Sequence, residues 1–94
     1  MQLERSSENI LEVWCDAPTF ADFKKVIAHL KKTFAGCVLA KAEGPDARRW
    51  RLLIEEKEIV VDQWDMGIFP LCISAIDKTG EDAVTRIAKS LEAL

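Results

Sequence analysis

Two alternating apolar runs flank an acidic centre in residues 49–65, RWRLLIEEKEIVVDQWD. Alternation with a period of two is the pattern of a half-buried β-strand, and two such runs joined by a short polar stretch predict a β-hairpin. Successive side chains of a strand point to opposite faces, so one face of this hairpin is apolar and must be covered. The chain is therefore expected to fold around a sheet with one buried face.

The two runs also predict how the hairpin closes. A four-residue turn at 55–58 lets apolar residues meet apolar residues and places opposite charges across the ladder. An arginine also comes to lie over a tryptophan ring in this register, which favours a cation–π contact. The expected cross-strand partners are Ile54 with Ile59, Arg51 with Asp62, and Arg49 with Trp64.

Both helices expected around this hairpin are amphipathic and begin at good capping residues. Thr19 with Asp22 starts the first helix, which ends at Gly36, and Thr79 with Asp82 starts the second. Further strands are expected at 9–15, 36–43 and 70–76. The order β-α-β-β-β-β-α predicts an α+β fold of one domain, residues 1–94: a two-layer sandwich whose mostly antiparallel five-stranded sheet carries two helices on one face.

With both helices on one face, the other face of the sheet is left open. Alternation places apolar side chains on the helix side: Trp50, Leu52, Ile54, Ile59 and Val61. The open side is expected to hold Arg49, Arg51, Leu53, Val60, Asp62 and Trp64, together with Glu12, Trp14, Leu39, Lys41 and Glu43. Tryptophans and aliphatic residues among charges are typical of an interface. The alternative is an ordinary surface, on which scattered apolar residues are normal.

The connection at 64–70, WDMGIFP, is the most apolar one in the chain and is a second candidate contact surface. The alternative is that Ile68 and Phe69 belong to the following strand and cover one end of the core. The two surfaces together give the expected partner-binding residues: Trp14, Arg49, Arg51, Trp64, Met66 and Phe69.

The charged groups suggest two more surfaces. An acidic patch of Glu55, Glu56, Glu58 and Asp65 is expected to attract a basic partner protein. Acid–base catalysis is disfavoured because Asp62 and Asp65 point to opposite faces of a strand. On the first helix, Lys25, His29 and Lys32 form a stripe that either meets an anionic partner or is solvated.

Composition excludes several classes of function. The formal net charge is −3 and the pI is about 5.1, which argues against nucleic-acid binding. No signal peptide and no membrane-spanning run is expected, so the chain is assigned to the cytoplasm. Three separated cysteines, Cys15, Cys37 and Cys72, are interpreted as buried reduced residues. No nucleophile, metal or cofactor motif occurs, so no enzyme activity, metal or cofactor is expected.

The hairpin containing Trp50 and Leu52, the segment 62–67 and the closing amphipathic helix resemble small bacterial α+β families of unknown function. Some of these resemble immunity proteins, which neutralise toxins. The resemblance covers roughly the last half of the chain and implies a bacterial binding domain without catalytic residues. The expected function is therefore binding of another protein, or of a second copy, through the open face. Alternatives are an immunity-like inhibitor that binds a basic toxin with the acidic hairpin tip, and a small-ligand binding domain.

Overall fold

A computed structural model describes residues 2–64 and 70–93 of the 94-residue chain. Within these ranges the fold is α+β, with six strands, two helices and a short 3-10 turn. The expected contact residues Met66 and Phe69, the acidic Asp65, Ile68 and the terminal Leu94 lie outside the described residues. In chain order the elements are β1 Gln2–Arg5, β2 Leu11–Cys15, α1 Phe20–Phe34, β3 Cys37–Glu43, β4 Ala47–Ile54, β5 Lys57–Trp64, β6 Leu71–Ala75, the 3-10 turn Lys78–Gly80 and α2 Glu81–Glu92.

The described strands form one antiparallel sheet in the order β1-β2-β6-β5-β4-β3. The expected meander is confirmed for β3 to β6, whose connections are short. The expectation of five strands is wrong, because β1 adds a sixth beside β2. Its sequence QLER has a single apolar residue and is exposed throughout, so hydrophobic alternation gives no signal there.

Both helices cover the same face of the sheet. Phe23 of α1 packs edge-to-face on Trp50, with ring centroids 5.1 Å apart. Val84 and Ile87 of α2 belong to the same buried cluster. Inward residues of four strands complete this single core: Val13, Trp50, Leu52, Ile54, Ile59, Val61, Leu71, Ile73 and Ala75. The inner side of the hairpin therefore agrees with the sequence prediction.

Helix α1 begins as predicted and ends one residue earlier than predicted. The Thr19 hydroxyl accepts the Asp22 N–H at 3.0 Å, and the Asp22 carboxylate accepts the Thr19 N–H at 3.3 Å. At the other end, Ala35 takes the left-handed conformation expected of Gly36, with φ of 53°. Gly36 is favoured for a different reason, because it lies close to the last turn of the helix. A Cβ at this position would lie 3.2 Å from the Leu30 carbonyl oxygen.

Helix α2 does not begin at Thr79. Asp77 opens the 3-10 turn, and its carboxylate accepts the Thr79 N–H at 2.9 Å. Gly80 then precedes the first α-helical residue, Glu81. A Cβ on Gly80 would lie 2.5 Å from the Ala75 Cβ, so glycine is required where this turn presses on β6. Thr79 does not cap the helix because its hydroxyl donates to the same Asp77 carboxylate and is held in the preceding turn.

The turn of the hairpin has two residues, whereas the sequence predicted four. The turn is Glu55 and Glu56, both in the left-handed region with φ of 52° and 66°, as a two-residue primed turn requires. Because a shift by two residues keeps every side chain on its face, the faces are right although the partners are wrong. The observed pairs include Leu52 with Ile59, Arg51 with Val60, Arg49 with Asp62 and Ala47 with Trp64.

A β-bulge in β3 overturns the predicted faces of Lys41 and Glu43. The register slips between Val38 and Ala40, so that Leu39 is the extra residue. One extra residue inverts the alternation that follows it. Lys41 therefore lies opposite inward-facing Trp50, with its Nζ 4.2 Å from the indole centroid, and Glu43 accepts the Trp50 Nε1–H at 3.0 Å. Both side chains belong to the helix side.

Candidate functional site

The open face is the side of the sheet turned away from the helices, and it collects four of the predicted contact residues. Trp14, Arg49, Arg51 and Trp64 all occupy outward positions of the register. The face divides into a tryptophan end, a charged centre and an apolar end. The register also places these residues on the outward side: Gln2, Glu4, Glu12, Cys37, Ala40, Ala42, Ala47, Leu53, Glu58, Val60, Asp62, Cys72 and Ser74.

At the tryptophan end, Trp14 and Trp64 pack on each other. Their ring centroids are 5.5 Å apart and their planes are inclined by 83°, an edge-to-face pair. The Trp14 Nε1–H is buried and has no hydrogen-bond partner among the described residues. The predicted contact of Arg49 with Trp64 is wrong, because Trp64 lies opposite Ala47 in the observed register.

The charged centre consists of two cross-strand ion pairs. Arg49 makes a two-pronged contact with Asp62, from Nε to Oδ1 at 2.6 Å and from Nη2 to Oδ2 at 3.3 Å. This carboxylate raises the pKa of Arg49 above its usual value. The second pair joins Arg51 Nη1 to Glu58 Oε1 at 3.1 Å. The predicted pair of Arg51 with Asp62 is therefore replaced by two pairs, as the tighter turn requires.

Cys72 lies beside this centre and is held as a thiol. Its Sγ donates to the Glu12 carboxylate at 3.7 Å. Burial, followed by the negative charges of Glu12 and Asp62, raises the pKa of Cys72 far above its usual value. A thiol that stays protonated is a poor nucleophile, so this arrangement does not support covalent catalysis.

The other two cysteines differ in exposure. Cys15 is half-buried, and burial raises the pKa of its thiol. Cys37 is exposed at the start of edge strand β3, so the expectation that it is buried is wrong. All three are free thiols.

The apolar end is formed by Leu39, Leu53 and Ile76. They are large hydrophobic residues with exposed fractions of 47%, 42% and 55%, and they line one groove of about 300 Å³. Leu39 and Leu53 were expected on this face from the sequence, whereas Ile76 was not. The signal was present, because Ile76 continues the outward alternation of Cys72 and Ser74.

Two further concavities adjoin the face. The turn between β1 and β2 contributes Ser6, Ser7 and Glu8 to a polar groove of about 360 Å³, whose floor includes Asp62 and Ser74. A shallow depression of about 670 Å³ lies beside Trp64. Its lining residues are Ala42, Glu43, Gly44, Ala47, Arg48, Arg49, Asp62, Gln63 and Trp64.

The predicted acidic patch is largely paired within the molecule. Arg86 Nε contacts both carboxylate oxygens of Glu55, at 2.8 and 2.9 Å. Glu58 is held by Arg51, and Glu56 is exposed at the turn. Attraction of a basic partner is weaker when a neighbouring arginine already offsets the charge.

The predicted stripe on α1 is only partly solvent-facing. His29 Nε2 lies 2.9 Å from the Ser90 hydroxyl of α2, which places the imidazole between the two helices. Lys25 and Lys32 are exposed on either side of it. The histidine therefore contributes to helix packing.

Within residues 2–64 and 70–93, no group of three or more metal-ligating side chains is clustered. In the same part of the chain, no helix has the length and apolar character needed to cross a membrane. No protein-family model, no curated protein and no solved structure matches this chain. The geometry of the open face is therefore the observation that bears on function.

Proposed function

We propose that this chain is a protein-binding domain and that its open face binds the same face of a second copy. The observation that carries the proposal is the apolar end, where Leu39, Leu53 and Ile76 remain exposed side by side. Clustered large apolar side chains on a sheet face favour association. In line with the three free thiols, we place this binding in the cytoplasm, a reducing compartment.

The charged centre makes this face less costly to bury than its composition suggests. An unpaired charge removed from water loses its hydration, whereas an ion pair with good geometry keeps a partner. Arg49 already holds Asp62, and Arg51 already holds Glu58. The face can therefore leave water with its main charges paired.

The arrangement of charges across the sheet favours a second copy as the partner. Strand β2 carries Glu12 and Trp14 outward, and β4, two strands beyond its neighbour β6, carries Arg49 and Arg51. A two-fold axis parallel to the strands, between β5 and β6, places β2 of each protomer over β4 of the other. Glu12 of one protomer then lies opposite Arg51 of the other, and the Trp14 indole lies opposite the Arg49 guanidinium. The two-fold symmetry repeats both contacts, so each occurs twice in one dimer.

The size of the face limits the strength of the dimer. Six strands about 4.8 Å apart and roughly 20 Å long present about 500 Å² per protomer. The two protomers would then bury about 1,000 Å² in all, the lower end for a specific interface. We therefore expect a dimer that dissociates on dilution.

Sedimentation velocity over a wide range of concentration tests the proposal. The expected result is a monomer–dimer equilibrium that Leu53→Lys shifts toward monomer. Leu3→Lys is the matched control, because Leu3 is exposed to 49% but lies on the helix side of edge strand β1. A native chain that stays monomeric at every concentration would refute self-association.

A charge exchange tests the two-fold arrangement itself. Glu12→Arg and Arg51→Glu should each weaken the dimer, and the two together should restore it, because the opposite charges meet again between protomers. Circular dichroism confirms that each variant is folded. Failure of the double variant to regain dimer would contradict the placement of β2 over β4.

A further inference from the structure

A groove on the other side of the molecule has a basic rim. It runs between α1 and edge strand β3 and has a volume of about 370 Å³. Its lysines are Lys24 and Lys31 from the helix and Lys41 from the strand. The apolar lining between them is Ile27, Ala28, Val38 and Trp50.

The three rim lysines have no ionic partner in the described part of the chain. No carboxylate there lies within 4.0 Å of their amino groups, although the whole chain is acidic. The nearby Glu43 carboxylate accepts the Trp50 Nε1–H and lines the depression beside Trp64 rather than this groove. Three cations around an apolar floor therefore leave a local positive potential unmatched.

The bulge in β3 gives this groove one of its cations. Without the extra residue Leu39, alternation would turn Lys41 to the open face. With it, the Lys41 amino group lies over the Trp50 indole, 4.2 Å from the ring centroid. Bulges commonly re-aim a side chain toward a functional surface.

We propose that this groove binds a short acidic peptide segment of another protein, with an apolar side chain on the floor and carboxylates at the lysines. The volume lies at the low end for ligand sites, so it suits one or two side chains rather than a folded domain. Trp50 is only 8% exposed and is covered by Lys41, so it offers no free ring on which a nucleotide base could stack.

Fluorescence anisotropy with a short fluorescein-labelled peptide that carries leucine between glutamates tests this inference. We expect saturable binding that weakens as salt rises, because exposed charge pairs are screened. Replacing glutamate by glutamine, or leucine by serine, should each weaken it. Equal binding of the glutamine peptide would overturn the role of the lysines.

Matched lysine variants locate the site. Lys31→Glu and Lys41→Glu should each weaken binding by about fivefold, the scale of one exposed ion pair. Lys25→Glu and Lys32→Glu alter the same helix outside the groove and should leave affinity within twofold. Equal losses in both sets would show a non-specific charge effect and refute the groove.

Further measurements separate the remaining outcomes. In a nitrogen–proton correlation spectrum, the Trp50 indole signal should shift on peptide addition while the Trp14 signal stays in place. Inorganic phosphate that competes as well as the peptide, or single-stranded DNA that binds more tightly, would contradict a peptide site. Binding should persist in Leu53→Lys, because that residue lies on the open face.

Discussion

Leu52 and Leu53 are neighbours in β4 but belong to different environments. Leu52 is fully buried beneath the helices, whereas Leu53 is 42% exposed on the open face. The helix side of the sheet is held by apolar packing, while the open side is organised by cross-strand ion pairs and a tryptophan pair. The difference shows that one face determines stability and the other leaves side chains available for contact.

The largest expected effect is a direct test of this difference. Leu52→Ala should lower the free energy of unfolding by about 2 to 5 kcal/mol, because it opens a cavity in the core. Leu53→Ala should change it by less than about 0.5 kcal/mol. Urea denaturation followed by circular dichroism measures both. Similar losses for the two leucines would mean that the open face is covered.

A smaller effect is expected at Gln63, the polar residue buried in the helix-side face. Its Nε2 donates to the Ala17 and Thr19 carbonyls at 2.6 and 2.8 Å, which ties β5 to the segment leading into α1. Gln63→Leu keeps the volume but removes the donor to the buried Ala17 carbonyl, while the Thr19 carbonyl still accepts the Phe23 N–H at 3.0 Å. We expect a loss of about 1 to 3 kcal/mol, measured by urea denaturation.

Gln63→Glu serves as the comparison for that prediction. A carboxylate there would face two carbonyl oxygens in a buried position, which raises its pKa above the unfolded value. The resulting destabilisation should be full at neutral pH and shrink as the pH falls through the raised value, since the protonated acid can donate one of the lost bonds. A pH-independent loss would contradict this account of the site.

The smallest expected effect concerns the ion pair on the open face. A double-mutant cycle with Arg49→Met and Asp62→Asn should give a coupling of about 0.5 to 1 kcal/mol, because Arg49 is largely solvent-exposed. The coupling should decrease in high salt. A coupling several times larger and insensitive to salt would show that the charged centre stabilises the fold as the core does.

The sequence was sufficient for the fold class and for the two faces of the hairpin. Alternation around Trp50 and Val61 is strong, and the Thr19 capping box is a local signal. Strand β1 was missed because QLER has no apolar alternation. The faces of Lys41 and Glu43 were wrong because nothing in the sequence marks the bulge at Leu39.

The candidate site was predicted only in part for a similar reason. Outward positions on β4 and β5 follow from alternation, so Arg49, Arg51 and Trp64 were placed on the right face. Their partners depend on the turn length, and Glu55-Glu56 lacks the glycine or asparagine that marks a two-residue turn. The groove between α1 and β3 depends on tertiary packing and on the bulge, neither of which is written in local periodicity.

The turn at Glu55 and Glu56 has a consequence for the order in which the molecule folds. Two adjacent non-glycine residues in the left-handed region, both acidic, disfavour early closure of the hairpin. We expect β4 and β5 to pair only after the apolar residues of their inner sides have gathered with the helices. The transition state for folding would then contain the inner layer, while the turn closes late and contributes little to the folding rate.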